Sequence, residues 1–248
     1  MDRAARLAEL DRYHREEVAA CVRCALSEGR TTVVIGSGDH DADLMFVGEA
    51  PGYHEDQQGL PFVGQAGKLL SRLLSGIGIS RDEVFIANVL KCRPPDNRDP
   101  RPEEIAACEP HLFRQIRLIR PRLVCTLGNF ATRLLSGRPE GITRVHGCEL
   151  PITLGGEPVL LYPLFHPAAA LYARATLATL EEDFARIPGL LAQGPPQADD
   201  GARPRPEGAG HGSPAGPHAE VEAGGRDPLG AQSPPAPVAD PDRQLGLF

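Results

Sequence analysis

The feature that most restricts the fold is a series of short apolar runs, each closed by a residue foreign to a hydrophobic core. Leu44-Met45-Phe46-Val47 sits between Asp43 and Gly48, Val84–Val89 carries Asn88 near its end, Leu123–Leu127 follows, and Val159–Leu164 leads into Phe165 and His166. Runs of this length bounded by turn residues read as buried strands. Between them lie helical patterns. Residues 3–20 form one, and Ala66–Leu74 puts Leu69, Leu70, Leu73 and Leu74 on one stripe. Pro102 opens another helix, with Glu103 and Glu104 at its positive dipole end and Pro121 beyond its close. Asn129–Leu135 and Leu171–Leu191 complete the set. Apolar strands alternating with helices predict an α/β, three-layer sandwich around a central, mainly parallel sheet of about four strands.

That pattern stops at Gly194. The 55 residues from there to Phe248 hold 11 Pro, 10 Gly and 9 Ala, but only six of Val, Leu, Ile or Phe. Such a stretch cannot bury enough apolar surface to offset its ordering entropy, and it is expected to be disordered. The chain therefore divides into a folded body at 1–193, a Pro/Gly/Ala-rich acidic linker at 194–243, and a terminal pentapeptide at 244–248. Of the net charge of −7, the stretch from Gly194 carries −4 and the body only −3. An overall acidic balance argues against non-specific nucleic-acid binding by bulk charge, but a nearly balanced body leaves room for a local arginine surface. No apolar run approaches the ~20 residues of a membrane span. The charged start Met1-Asp2-Arg3 does not read as a signal peptide, so a soluble cytoplasmic protein is expected.

Six cysteines occur, at 21, 24, 92, 108, 125 and 148. In an intracellular chain disulfides are disfavoured and a close pair suggests metal or redox chemistry. Cys21, Cys24, Cys92 and Cys108, spaced C-x2-C and C-x15-C, can supply four thiolates to a [4Fe–4S] cluster or to a zinc ion, and spacing does not separate the two. Cys125 lies mid-strand and reads as a small core residue. Cys148 has no close partner in sequence.

Ligands of open α/β sheets bind at the carboxyl ends of the strands. Three such ends here are unusual: Gly48-Glu49-Ala50-Pro51-Gly52 continuing through Glu55 to Phe62, then Asn88, then His166-Pro167. Glycines allow close backbone approach, Phe62 offers an aromatic face, and an Asn amide can read a ring edge that pairs an N–H with a C=O. Each alone is ordinary. Together they mark a pocket for a planar polar ring.

The run GEAPGYHEDQQGLPFVGQAGKLL from Gly48 to Leu70, the run Asn88-Val89-Leu90-Lys91-Cys92-Arg93-Pro94-Pro95-Asp96-Asn97-Arg98, His166-Pro167 and the four cysteines together resemble the family 4 uracil-DNA glycosylases, iron–sulfur enzymes of base-excision repair. The resemblance spans roughly residues 15–190. It implies a uracil-DNA glycosylase-like fold, a [4Fe–4S] cluster on Cys21, Cys24, Cys92 and Cys108, and uracil-containing DNA, single- or double-stranded, as substrate for a monomeric enzyme. It implies that Glu49, Ala50, Pro51 and Gly52 shape the uracil pocket, that Phe62 stacks on the base and that Asn88 reads its pairing edge. Glu55 would crowd C5, and His166 would donate to O2 of the leaving uracil. Glu49 and Glu55 rank equally as the group that positions water. DNA contacts are expected from Arg93, Arg98 and Arg174, with Leu171 as a wedge in the emptied stack.

The terminal Gln244-Leu245-Gly246-Leu247-Phe248 resembles the bacterial sliding-clamp-binding peptide, with Gln244, Leu245, Leu247 and Phe248 as the anchoring side chains. A competing reading of the cysteines is a non-catalytic iron–sulfur or zinc DNA-binding or redox-sensing protein. Such a protein has no need of Glu49, Glu55, Phe62, Asn88 and His166 together. A nucleotide-binding Rossmann protein is a weaker alternative, because Gly36-Ser37-Gly38 precedes the first long strand.

Overall fold

The computed structural model describes residues 1–193; Gln244, Leu245, Leu247 and Phe248 lie outside the described residues. Six strands form one sheet: β1 (Ser37–Gly38), β2 (Leu44–Gly48), β3 (Phe85–Asn88), β4 (Leu123–Leu127), β5 (Leu150–Leu154) and β6 (Glu157–Leu164). Their order is β1-β3-β2-β4-β6-β5. The inner four are the strands expected from sequence, and they run parallel to one another. Two antiparallel edge strands were not legible. β1 has two residues and β5 is mostly half-exposed, so neither carries an apolar run.

Alternation along the central strands sorts side chains to two faces. In β2, Met45 and Val47 join Leu112, Ile116 and Leu134 on one side, while Leu44 and Phe46 join Leu70, Leu74, Phe184 and Ile187 on the other. The first layer holds α1 (Arg3–Tyr13), the short α2 (Leu26–Gly29), α5 (Pro102–Ile119) and α6 (Asn129–Ser136). The second holds α4 (Gln65–Gly76) and α9 (Arg174–Ala192). Three one-turn or two-turn helices, α3 (Tyr53–Gln58), α7 (Ile142–Val145) and α8 (Pro167–Ala170), sit in the connections. This is the three-layer sandwich expected. All four leucines of the α4 stripe are buried, and truncating one to Ala is expected to cost about 2–5 kcal/mol.

Residues 3–20 are not one uniform helix: α1 ends at Tyr13 and a π-helical turn, His14–Val18, continues it. That turn leaves Cys21 just beyond the helix, facing the loop after β3. Cys125 is fully buried in β4, where burial pushes its thiol far up, as expected of a core residue. Cys148 is exposed. No helix of the described residues is long and apolar enough to cross a membrane.

Candidate active site

β2, β3 and β6 end on the same edge of the sheet, and their following residues enclose a cavity of about 70 Å³. Phe62, Asn88 and His166 line it together with Ala50, Gly52 and Glu55. The sequence places these residues far apart, and the parallel topology gathers them. Glu49 and Pro51 belong to the same turn but not to the cavity lining; Pro51 is buried beneath it.

Glycine is required where the pocket is tightest. A Cβ at Gly48 would stand 2.4 Å from Asn88 Oδ1 and 2.8 Å from Phe62 Cζ. The bare Cα therefore lets the amide and the ring close over the strand end. Phe62 has φ +53°, in the left-handed region that costs a bulky residue ~1 kcal/mol or more. Three contacts hold it there. Arg81 donates to the Pro61 carbonyl at 2.5 Å, and Glu55 Oε1 accepts from Val63 N at 3.1 Å and Gly64 N at 3.4 Å. Gly67 passes so close beneath that a Cβ there would lie 1.7 Å from the Phe62 carbonyl oxygen. Glu55 thus organises the loop that presents the aromatic face, a role its sequence position did not reveal.

The His166 ring centroid lies 5.7 Å from that of Phe62. His166 also caps α8: its Nδ1 accepts from Ala168 N at 3.1 Å. That bond assigns the proton to Nε2, so the ring can donate into the pocket. Burial pulls its pKa down to about 4, and the imidazole is neutral at physiological pH. Beside the pocket, Glu49 is pushed up to about 7, first by burial and then by the charge of Asp99.

The rim contains residues that the motifs did not single out. Tyr53, Asn97 and Tyr172 also line the cavity. Tyr53 is 41% exposed and Tyr172 82%; a large aromatic at that exposure beside a pocket was the available signal, but exposure is invisible in sequence. Leu171, next to Tyr172, is half-buried against the α4–α9 core layer while its edge reaches the pocket. Arg93 stacks over Tyr53 with its guanidinium carbon 5.3 Å from the ring centroid, and its Nε donates to Asn97 Oδ1 at 2.7 Å. Arg98 makes a bidentate pair with buried Glu104, at 2.9 and 2.5 Å. Its charge is thereby partly neutralised within the fold. Arg174 is exposed at the start of α9.

A second cavity lies behind the pocket. Cys21, Cys24, Cys92 and Cys108 line it, with Arg30, Lys91 and His111. Three of the four sulfurs meet N–H groups. Arg30 Nη1 donates to Cys92 Sγ at 3.3 Å, the Lys91 amide to Cys108 Sγ at 3.2 Å, and His111 Nε2 lies 3.2 Å from Cys21 Sγ. The Tyr13 hydroxyl sits at His111 Nδ1; in the tautomer where it donates there, Nε2 carries the proton and donates to Cys21 Sγ. Burial pushes Cys108 up to about 12 and raises Cys92, so thiolates here need compensating positive charge. Among the described residues no three His, Cys, Asp or Glu side chains are grouped to hold one metal ion. Four thiols around one cavity are the donor set of a [4Fe–4S] cluster and equally of a tetrahedral zinc.

Residues 35–187 match the family model described as the uracil DNA glycosylase superfamily. The chain is 46% identical over 190 residues to the type-4 uracil-DNA glycosylase of Saccharolobus solfataricus, covering 75% of this chain and 88% of that protein. To the type-4 enzyme of Archaeoglobus fulgidus it is 42% identical over 188 residues, covering 74% and 94%. A type-5 uracil-DNA glycosylase of Pyrobaculum aerophilum is more distant, 30% identical over 167 residues, covering 58% of this chain and 70% of that one.

Proposed function

The chain belongs to the uracil-DNA glycosylase superfamily and its type-4 branch, it is a uracil-DNA glycosylase, and from that premise we propose which of its residues carry the reaction. The observation that bears most weight is the meeting of Phe62, Asn88 and His166 in one pocket at the strand ends. Uracil must leave the base stack to reach it. Phe62 stacks on the flipped ring. Asn88 accepts from N3–H and donates to O4. Cytosine presents the reverse pattern and would leave buried polar groups unpaired, a mismatch that can discriminate by ~10⁴. Glu55, fixed by its loop bonds, would crowd the C5 side of the ring and disfavour thymine.

Hydrolysis breaks the C1′–N1 bond. The electron pair departs with N1 and spreads to O2, while a water oxygen bonds to C1′ and passes a proton to the carboxylate that holds it. His166 Nε2–H donates to O2 as that charge grows. A fixed donor of this kind can contribute ~3 kcal/mol, and a neutral ring suffices. Of the two carboxylates that ranked equally in sequence, Glu55 lines the cavity and Glu49 does not. Glu55 is therefore assigned to the water, with its Oε2 lying over Gly52.

Cys21, Cys24, Cys92 and Cys108 would hold a [4Fe–4S] cluster, which would tie the segment after the first helix to the loop after β3 and to α5. Arg93, Arg174 and the rim tyrosines would meet the DNA strand on either side of the flipped base, with Tyr172 projecting further than Leu171. Residues 194–243 would tether the peptide Gln244–Phe248 to a bacterial sliding clamp, and a monomer suffices for all these roles. Deleting 244–248 should then abolish clamp binding and leave excision from short oligonucleotides intact.

The decisive assay incubates the purified full chain, and its Asn88→Ala variant, with uracil-containing oligonucleotides. Free uracil from the wild type and a loss of at least ~10²-fold in the variant are expected. Equal rates in the two would remove Asn88 from the assignment.

A further inference from the structure

Lys91 is one of two lysines in the chain, its side chain is fully buried, and the reaction just described makes no use of it. Its ammonium donates to the backbone carbonyl of Asn88 at 2.8 Å and to Gln115 Oε1 at 2.6 Å. The orientation of Gln115 is fixed in turn, since its amide nitrogen donates to the Ile35 carbonyl at 2.9 Å and lies 2.9 Å from His14 Nε2. The backbone of Lys91 is held as firmly. Its N–H donates to Cys108 Sγ, its carbonyl accepts from Val34 N at 2.8 Å, and the next residue is Cys92.

The sheet explains why an ammonium stands there. Val89 N donates to Gly48 O, so residue 89 faces β2 and residue 88 faces the opposite side. On that side β1 pairs with β3 only at Phe85 and Ile86. The Asn88 carbonyl has therefore run past the end of its neighbouring strand. A buried carbonyl without a donor is costly, and Lys91 Nζ supplies one with a charge. The same residue thus grips the strand end that presents the Asn88 amide and, through its backbone, adjoins Cys92 and meets the Cys108 sulfur.

We propose that Lys91 is a positioning residue, whose ammonium fixes the placement of Asn88 in the uracil pocket relative to the cysteine-lined cavity. The inference rests on the reading of Asn88 as the group that recognises uracil. A cluster seated on Cys92 and Cys108 would then hold the pocket in register through Lys91, from outside the pocket itself.

The test replaces the ammonium at nearly constant volume, Lys91→Met, in the full chain purified with its cluster, whose visible absorption reports loading. Two readouts follow: inhibition by free uracil, whose constant reports binding in the pocket rather than the chemical step, and hydrogen exchange of the amides at 89 and 90. The expected result is normal absorption, an inhibition constant for uracil raised about tenfold, and faster exchange at both amides. A lysine serving only general stability would lower the melting temperature while leaving the inhibition constant and local exchange at wild-type values, and that result overturns the proposal. Should Lys91→Met fail to fold or to load, Gln115→Leu removes the second acceptor instead. The same shifts, smaller, are expected of it, and wild-type values would again overturn the proposal. If the wild type itself neither releases nor binds uracil, the functional reading fails, while the exchange data still report whether Lys91 holds the end of β3.

Discussion

The strand-end pocket and the cysteine-lined cavity are neighbours, joined through the four residues from Asn88 to Lys91, yet they are built on opposite principles. The pocket is shaped by backbone: Gly48, Gly67 and a left-handed Phe62 let side chains converge, and backbone amides hold Glu55 and His166. Its His166 is neutral and Nε2-protonated, the form that the proposed donation to uracil O2 requires. The cavity is shaped by side chains whose reactive form burial opposes, as the raised Cys92 and Cys108 show. Arg30, His111 and the Lys91 amide offset that opposition in part. The pocket is ordered by backbone geometry and hydrogen bonds, whereas in the cavity burial disfavours the thiolate form of Cys92 and Cys108.

The comparison breaks most visibly at His166. Removing the donor, His166→Ala, should lower kcat by ~10²–10³ with little change in substrate affinity, measured by single-turnover uracil release. Next in size is the cavity: Cys108→Ser should abolish the visible charge-transfer band and lower the melting temperature, whereas Asn88→Ala should leave both unchanged. Gly67→Ala then tests the strain directly. Its Cβ has no room under the Phe62 carbonyl, so a loss of roughly 2–4 kcal/mol in stability is expected by denaturant titration. At the rim, Tyr172→Ala should weaken single-stranded DNA binding about tenfold without altering inhibition by free uracil.

The smallest effect is one of pH, and its sign differs between two neighbouring groups. His166 binds its proton more weakly in the folded chain, at about 4, than at an unfolded value near 6.5. Its contribution to stability is present above pH ~6.5 and lost as pH falls towards 4. Glu49 binds its proton more tightly when folded, at about 7. Its contribution is present below pH ~4.5 and lost as pH rises to 7. Urea midpoints of His166→Gln and Glu49→Gln between pH 4 and 8 should therefore converge with wild type at opposite ends of the range.

The sequence made the central sheet legible because its four inner strands are buried on both faces and so are apolar throughout. β1 and β5 escaped notice because edge strands with an exposed side carry no such run. Asn88, His166 and Phe62 were readable as polar or aromatic residues at strand ends. The loop-holding role of Glu55, the capping bond of His166 and the partnership of Arg98 with Glu104 were not. Each depends on a partner brought close only by the fold. Tyr53 and Tyr172 differ from core tyrosines such as Tyr162 only in exposure, which no residue type encodes.

The central claim is that a neutral imidazole, held by the Ala168 amide, stabilises the departing uracil. Single-turnover release of uracil from a single-stranded oligonucleotide, followed from pH 5 to 8 for wild type and His166→Ala, tests it most directly. The account predicts a wild-type rate with no titration near pH 6.5 and a gap of ~10²–10³ between the two proteins that stays constant across the range. A gap that opens below pH 6.5 and closes above it would mean that His166 acts as a cation, and would contradict the account.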